Sequence, residues 1–286
     1  SYVPVDEALA RAASFGLLAS VSQGNERGTT STNVLARKKT TLAVDAIYDS
    51  DTADRSDDYF PGWPSQGPSA WGVFRPSVSA PGEDVYLQAY GGGANGTSFS
   101  SPHVAAGAAL IRDRHPDWSM EQIHRAIVNK AYDVENHPFN QGSGLLDICS
   151  SIEENIFAGV KTRVEYRDSS SYEEVAEGSE VYSLPYWNPK VFPGQTQSGV
   201  VTLYNYGDSE VNLSFNSRTF FGLDNSNRKF DGRITTRINE ITIPPENQED
   251  VSVKISAPES QEAGVYAAYI EFSGDGENVR IPVSVS

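Results

Sequence analysis

A single cysteine, Cys149, excludes an internal disulfide framework and any metal site built from several cysteines. Its simplest role is that of a small buried apolar side chain. No run approaches 18 uninterrupted apolar residues, so no transmembrane helix is expected. Positive charge is scarce: 22 Lys and Arg stand against 38 Asp and Glu, a formal net charge of −16. An acidic surface repels phosphate and anionic lipid. Nucleic acid or membrane bound through a basic face is therefore excluded. The same surface fits a secreted protein, adaptation to high salt, or ordinary acidic solubility. What is present suffices for packed cores. Hydrophobic residues make up 38% and aromatics 10% of 286 residues, which excludes wholesale disorder. This length suggests about two domains.

The two halves differ in texture. In residues 1–150, Asp6 to Phe15 reads as an alanine-rich helix ended by Gly16, and Leu17 to Val21 and Thr41 to Ala46 read as buried strands. Ser98 to Arg114 reads as a long helix rich in small residues. Ser119 and Gln122 form a capping box ahead of Met120, Ile123, Ile127 and Ala131 at helical spacing. Alternating strands and helices argue for an α/β domain with a mostly parallel sheet. Residues 151–180 are polar and acidic and read as a linker. Residues 181–286 are all β. Strand-length runs occur at Val200 to Tyr206, Val211 to Phe215, Ile238 to Ile243, Val251 to Ile255, Val265 to Phe272 and Val279 to Val285. Val251, Val253 and Ile255 form one expected buried face, and Ile281, Val283 and Val285 another. The pattern suggests a β-sandwich, with Trp187 and Tyr266 as core aromatics.

The segment with chemical content runs from Gly96 through Thr97, Ser98, Phe99, Ser100, Ser101, Pro102, His103, Val104, Ala105 and Ala106 to Gly107. Ser98 falls at a helix start, where free N–H groups and the positive dipole end favour developing negative charge. Pro102 lies in the early turns, where proline costs least. The alanines and Gly107 suit a helix packed tightly between other elements. A serine so placed suits nucleophilic attack. A lone serine at a helix start is otherwise just an N-cap.

The whole run resembles the nucleophile motif of the subtilisin-like serine peptidases, the subtilases. Ser22, Gln23, Gly24, Asn25 and Glu26 resemble the subtilase segment that donates an Asn amide to the oxyanion. Arg75 to Gly82 resembles the extended stretch before the nucleophile, and Gly142 to Asp147 the turn that closes the domain. The resemblance implies part of a three-layer subtilisin-like domain followed by an immunoglobulin- or fibronectin-like sandwich. It implies a secreted serine endopeptidase acting on polypeptide substrates. Ser98 is then the nucleophile, and Asn25 with the Ser98 N–H holds the oxyanion. Ser22, Gln23 and Gly24 form one wall of the substrate pocket. No cofactor is required for this chemistry.

The triad also needs a histidine base and an aspartate to orient it. Subtilases carry both ahead of the oxyanion Asn, in an Asp motif and a His-Gly-Thr motif that are absent here. His103 lies five residues past Ser98, about 140° around the helix, and is expected to point away as a packed core residue. His115, His124 and His137 read as surface or loop residues. An upstream segment carrying Asp and His is the expected partner, and this chain alone is expected to be inactive. It should expose an unpaired sheet edge and apolar surface. The alternative is a non-catalytic binding or scaffold protein descended from a subtilase. Asp49, Asp51 and Asp54 to Asp58 form an acidic loop without EF-hand spacing. It reads as solvated, with a structural Ca²⁺ as the alternative.

Overall fold

A computed structural model describes residues 3–70, 72–89, 91–168, 176–220 and 228–286. Helix α1 (Val3–Ser14) ends at Gly16, whose φ of +78° suits a residue without Cβ. Strands β1 (Ala19–Ser22), β3 (Thr41–Ile47) and β5 (Val78–Pro81) form a parallel sheet in the order β1–β3–β5. Two small ribbons flank it: β2 (Gly28–Thr29) with β4 (Ser65–Gln66), and β6 (Val85–Leu87) with β7 (Gly92–Ala94). The central strand β3 is buried along its whole length, as its nearly continuous apolar run requires. Helix α2 (Thr97–Arg114) lays Val104 and Ile111 on Leu42, Val44, Val78 and Ala80. Helix α3 (Met120–Asn129) adds Ile123 and Ile127 to that core and opens with the expected Ser119–Gln122 capping box. Two short helices follow, α4 (Pro138–Gln141) and α5 (Ile148–Glu153). At Gly107 a Cβ would lie 2.1 Å from Ile148 Cδ1, so only glycine admits α5 this close to α2.

The remaining strands build two antiparallel sheets. One runs β12 (Arg233–Thr236), β14 (Asn247–Ser256), β10 (Thr196–Asn205), β8 (Ile156–Asp168), β9 (Ala176–Leu184). The other runs β13 (Glu240–Ile243), β11 (Val211–Thr219), β15 (Tyr266–Gly274), β16 (Glu277–Val285). Val201, Leu203, Val251, Val253 and Ile255 of the first share a core with Leu213, Ile270, Phe272, Ile281 and Val283 of the second. This layout fits a β-sandwich. Tyr266 lies in that core and Trp187 packs against it.

Four sequence expectations need correcting. The described residues of 151–180 are not a linker: they end α5 and supply β8 and the first part of β9, while 169–175 lie outside the described residues. Ile156, Phe157, Ala158 and Val160 are buried. Cys149 is exposed rather than buried, because it lies on the outer side of short α5. His103 is exposed rather than packed, because no described residue covers that flank of α2. His124 is fully buried rather than superficial.

The burial of His124 follows from how the two parts meet. The face of α3 turned away from the parallel sheet would ordinarily be wet, yet His124, Arg125, Asn129 and Lys130 are all buried. Arg125 donates to Ser183 O (3.0 Å) and Asn129 to Arg280 O (2.9 Å). Lys130 donates to Glu277 Oε2 (2.9 Å) and also pairs with Glu154. Phe74, Phe139, Tyr182, Tyr186 and Tyr269 form a common apolar core across this seam. His124 has no hydrogen bond at either ring nitrogen. Burial, with Arg75 and Arg125 nearby, pushes its imidazole down to about 3.

An acid sensitivity follows. The unfolded chain takes up this proton below its ordinary value near 6.5, whereas the folded chain does not until about 3. Stability contributed by neutral His124 is complete above pH 6.5 and is lost as pH falls toward 3. The loss is about 1.4 kcal/mol per pH unit inside that window. Urea unfolding at pH 7, 5 and 4 should show this slope. His124→Leu should flatten it, and an unchanged slope would remove the assignment to His124.

Candidate active site

The loop after β1 and the first turn of α2 meet through Thr97. Gln23 N–H donates to Val44 O (2.8 Å), which carries the chain past the end of β1. Gly24 N–H donates to Thr97 Oγ1 (3.2 Å). Gly24 has φ +124°, and a Cβ there would lie 2.7 Å from Ser65 Oγ, so the position requires glycine. Asn25 Oδ1 then accepts from both the Thr97 N–H (3.1 Å) and the Thr97 hydroxyl (2.8 Å). With its oxygen fixed twice, the Asn25 side chain has one orientation. Its Nδ2 donor lies over Gly96, 3.6 Å from where a Cβ would stand. Ser98 is the next residue along and is exposed. Its N–H belongs to the first-turn amides that a helix leaves without an internal partner. An exposed serine thus stands in the first turn of an 18-residue helix, one residue after the threonine that fixes the Asn25 amide.

Among the predicted site residues, Asn25 is bonded to Thr97, the residue just before Ser98. Ser22, the last residue of β1, and Gly24, on the loop that follows, are half-buried. Gln23 is different. Its side chain is fully buried, with Nε2 on Thr32 Oγ1 (3.2 Å), so it reaches a substrate only through its backbone. Sequence reasoning passed over Thr97, whose two donors orient Asn25. The signal was its place between Gly96 and Ser98, where both neighbours already carried roles.

All four histidines are engaged elsewhere. His103 Nδ1 bonds Phe99 O (2.8 Å). His115 Nε2 bonds Ile152 O (2.9 Å), and its ring stacks on Trp118 at 3.9 Å. His137 Nδ1 accepts from the Phe139 N–H (3.1 Å). His124 packs against Tyr186. Asp45 is buried in β3, and burial raises its carboxyl well above the usual carboxylate range. Its only hydrogen bond among the described residues is from the Ala46 N–H (2.8 Å), so it orients no histidine there. Among the described residues no group of three His, Cys, Asp or Glu is placed to hold a metal ion, and the aspartates at 49–58 are no exception. No described helix is long and apolar enough to cross a membrane.

One side of α2 is uncovered by the described residues. Pro102, Ala105, Ala106 and Ala109 are exposed, and Leu110 is 56% exposed. Phe15 and Leu17, just ahead of β1, are 72% and 62% exposed. Strand β1 is an edge of the parallel sheet, with no further strand beside it among the described residues.

Residues 3–144 match the subtilase family. The chain is 32% identical to subtilisin E of Bacillus subtilis (strain 168) over 149 residues, 50% of this chain and 35% of the relative. It is 38% identical to the minor extracellular protease Vpr of the same organism over 106 residues, 31% of this chain and 13% of the relative. Subtilisin of Bacillus pumilus is 31% identical over 146 residues, 50% of this chain and 49% of the relative. The chain thus spans less than half the length of each of these relatives.

Proposed function

We propose that this chain is the nucleophile-bearing part of a secreted serine endopeptidase. The observation that carries the reading is the Thr97–Asn25 lock beside the exposed hydroxyl of Ser98. Ser98 Oγ attacks the carbonyl carbon of a peptide bond and gives its proton to a histidine base. The carbonyl oxygen becomes an oxyanion facing Asn25 Nδ2 and the Ser98 N–H. The C–N bond then breaks, and the amine leaves with the proton held by the base. Water reverses the sequence to release the acid. Ser22, the Gln23 backbone and Gly24 supply one wall of the pocket.

The histidine and the aspartate come from a segment outside these 286 residues. Two features support this: every histidine here already has another role, and α2 and β1 present an uncovered apolar flank. A segment lying there would cover Leu17, Ala105, Ala106, Ala109 and Leu110 and extend the sheet beyond β1. Secretion fits the acidic surface and the extracellular relative Vpr. The β-rich part is read as an immunoglobulin- or fibronectin-like sandwich from its two antiparallel sheets.

Labelling of the complete protein with a fluorophosphonate tests the reading. Ser98 should be the modified residue by mass spectrometry, and Ser98→Ala should abolish modification. A complete protein that takes up no label would instead support a non-catalytic subtilase relative. A second expectation concerns the oxyanion. Asn25→Ala should lower kcat by about 10²–10³, the effect known for the corresponding donor in subtilisin itself, with KM little changed. A loss confined to KM would place Asn25 in ground-state binding instead.

A further inference from the structure

The turn at residues 141–144 is gripped from two sides. On one side lies β5. Ser143 N–H donates to Ser77 O (3.0 Å), Ser79 N–H to Gly144 O (2.8 Å) and Leu146 N–H to Ser79 O (2.8 Å). Ser79 Oγ donates to Gln141 O (3.0 Å). The approach is tight: a Cβ on Gly142 would lie 2.7 Å from the Ser77 carbonyl carbon. On the other side lies the second β-sheet. Tyr269 of β15 is fully buried and donates its hydroxyl to Gly142 O, while Gln141 Nε2 donates to Tyr269 Oη (3.0 Å). Arg280 of β16 is buried and donates to Ser143 O (2.6 Å). Its guanidinium also faces the Tyr269 ring at 5.0 Å and pairs with Asp133 and Glu271. Two sheet residues thus bond consecutive carbonyls of one turn.

From β5 the chain of contacts reaches the nucleophile. Directly after β5, Gly82 N–H donates to Ile47 O (3.0 Å) and Gly82 O accepts from Gly96 N–H (2.8 Å). Gly82 lies so close beneath α2 that a Cβ would stand 2.1 Å from Ser100 Oγ and 2.8 Å from Ala46 Cβ. Gly96 is the N-cap of α2, one residue before Thr97 and two before Ser98. The height of β5 therefore sets Gly82, Gly82 sets Gly96, and Gly96 sets where Ser98 stands relative to Asn25.

We propose that Tyr269 and Arg280 are positioning residues for the Ser98–Asn25 pair, acting through the 141–144 turn and β5. The β-rich part is then a required element of the site rather than an appended module. This inference rests on the peptidase reading given above. Catalysis depends steeply on such placement, since a displacement of about 1 Å caused far from the chemistry can cost about 10²-fold.

The test uses the complete protein, held well below its melting temperature. Tyr269→Phe keeps the ring and removes the hydroxyl that bonds Gly142. The rate constant for fluorophosphonate labelling of Ser98, and kcat for a peptide substrate, should fall about 10- to 100-fold. KM should stay within about twofold. Tyr266→Phe is the control. It removes another buried tyrosine hydroxyl, one that donates to Glu262 O (2.8 Å) within the β-rich part, and kcat should be unchanged. Arg280→Lys keeps the charge beside Asp133 and Glu271 but gives up the guanidinium bond to Ser143. It is read the same way, and it decides the matter if Tyr269→Phe does not fold. Wild-type labelling rates in the Tyr269 and Arg280 variants, with only a lowered melting temperature, would reduce both residues to a structural role and overturn the proposal. Failure of the wild-type protein itself to label overturns the peptidase reading, which is a distinct result.

Discussion

Ser98→Ala in the complete protein is expected to lower peptide turnover by about 10⁶, the scale of effect seen when the nucleophile of subtilisin is removed. The reason is local. Ser98 is exposed and directly follows Thr97, which orients the Asn25 amide, and alanine leaves no atom to bond the acyl group. Substrate should still bind, because the loop at residues 22–25 is held by Val44 and Thr97 rather than by Ser98. KM should therefore change much less than kcat. The 286-residue chain alone should behave like this variant even with Ser98 present, because its histidines bond Phe99, Ile152 and Phe139 or lie sealed against Tyr186. Initial rates on a fluorogenic peptide check both statements. Cleavage by the isolated chain that Ser98→Ala abolishes would show that the base lies within these residues after all.

Gly144→Ala is expected to cost the fold more than about 4 kcal/mol, in the range reserved for a buried steric conflict. Gly144 has φ +136°, and a Cβ there would lie 2.0 Å from Tyr132 O and 2.7 Å from Tyr132 C. Both are backbone atoms, and neither can swing aside. Tyr132 and Leu145 exchange two backbone hydrogen bonds of 2.8 Å across this point, and Gly144 O takes the Ser79 N–H. Relief of the clash must break that lattice and release β5 from the turn. Gly276→Ala is the comparison: its φ is +84° but nothing lies within 4 Å. That change should cost only the conformational penalty of about 1–2 kcal/mol. Thermal melts of the two variants should differ by about 5 °C or more. Equal shifts would contradict the packing argument.

The helix start at Ser98 was legible because its information is contiguous. Gly96 to Gly107 carries the turn, the hydroxyl and the small-residue helix in one run. Strands β14 and β16 were legible for a similar reason: Val251, Val253, Ile255 and Ile281, Val283, Val285 alternate toward one core. Strand β8 carried the same signal in weaker form. Val160, Thr162, Val164 and Tyr166 alternate with Lys161, Arg163, Glu165 and Arg167, and the charges disguised a strand as a linker. The seam between the two parts was not legible. His124, Arg125, Asn129 and Lys130 have the polarity of a solvated helix face, and only long-range packing of β8, β9 and β16 buries them. The exposure of His103 was missed for the opposite reason. Its burial depended on a flank of α2 that no described residue covers.

The most direct test of the central claim is a crystal structure of the complete protein after fluorophosphonate inactivation. The phosphorus should be bonded to Ser98 Oγ, with one phosphoryl oxygen about 3 Å from both Asn25 Nδ2 and the Ser98 N–H. An adduct on a different side chain, or a phosphoryl oxygen turned away from Asn25, would contradict the account.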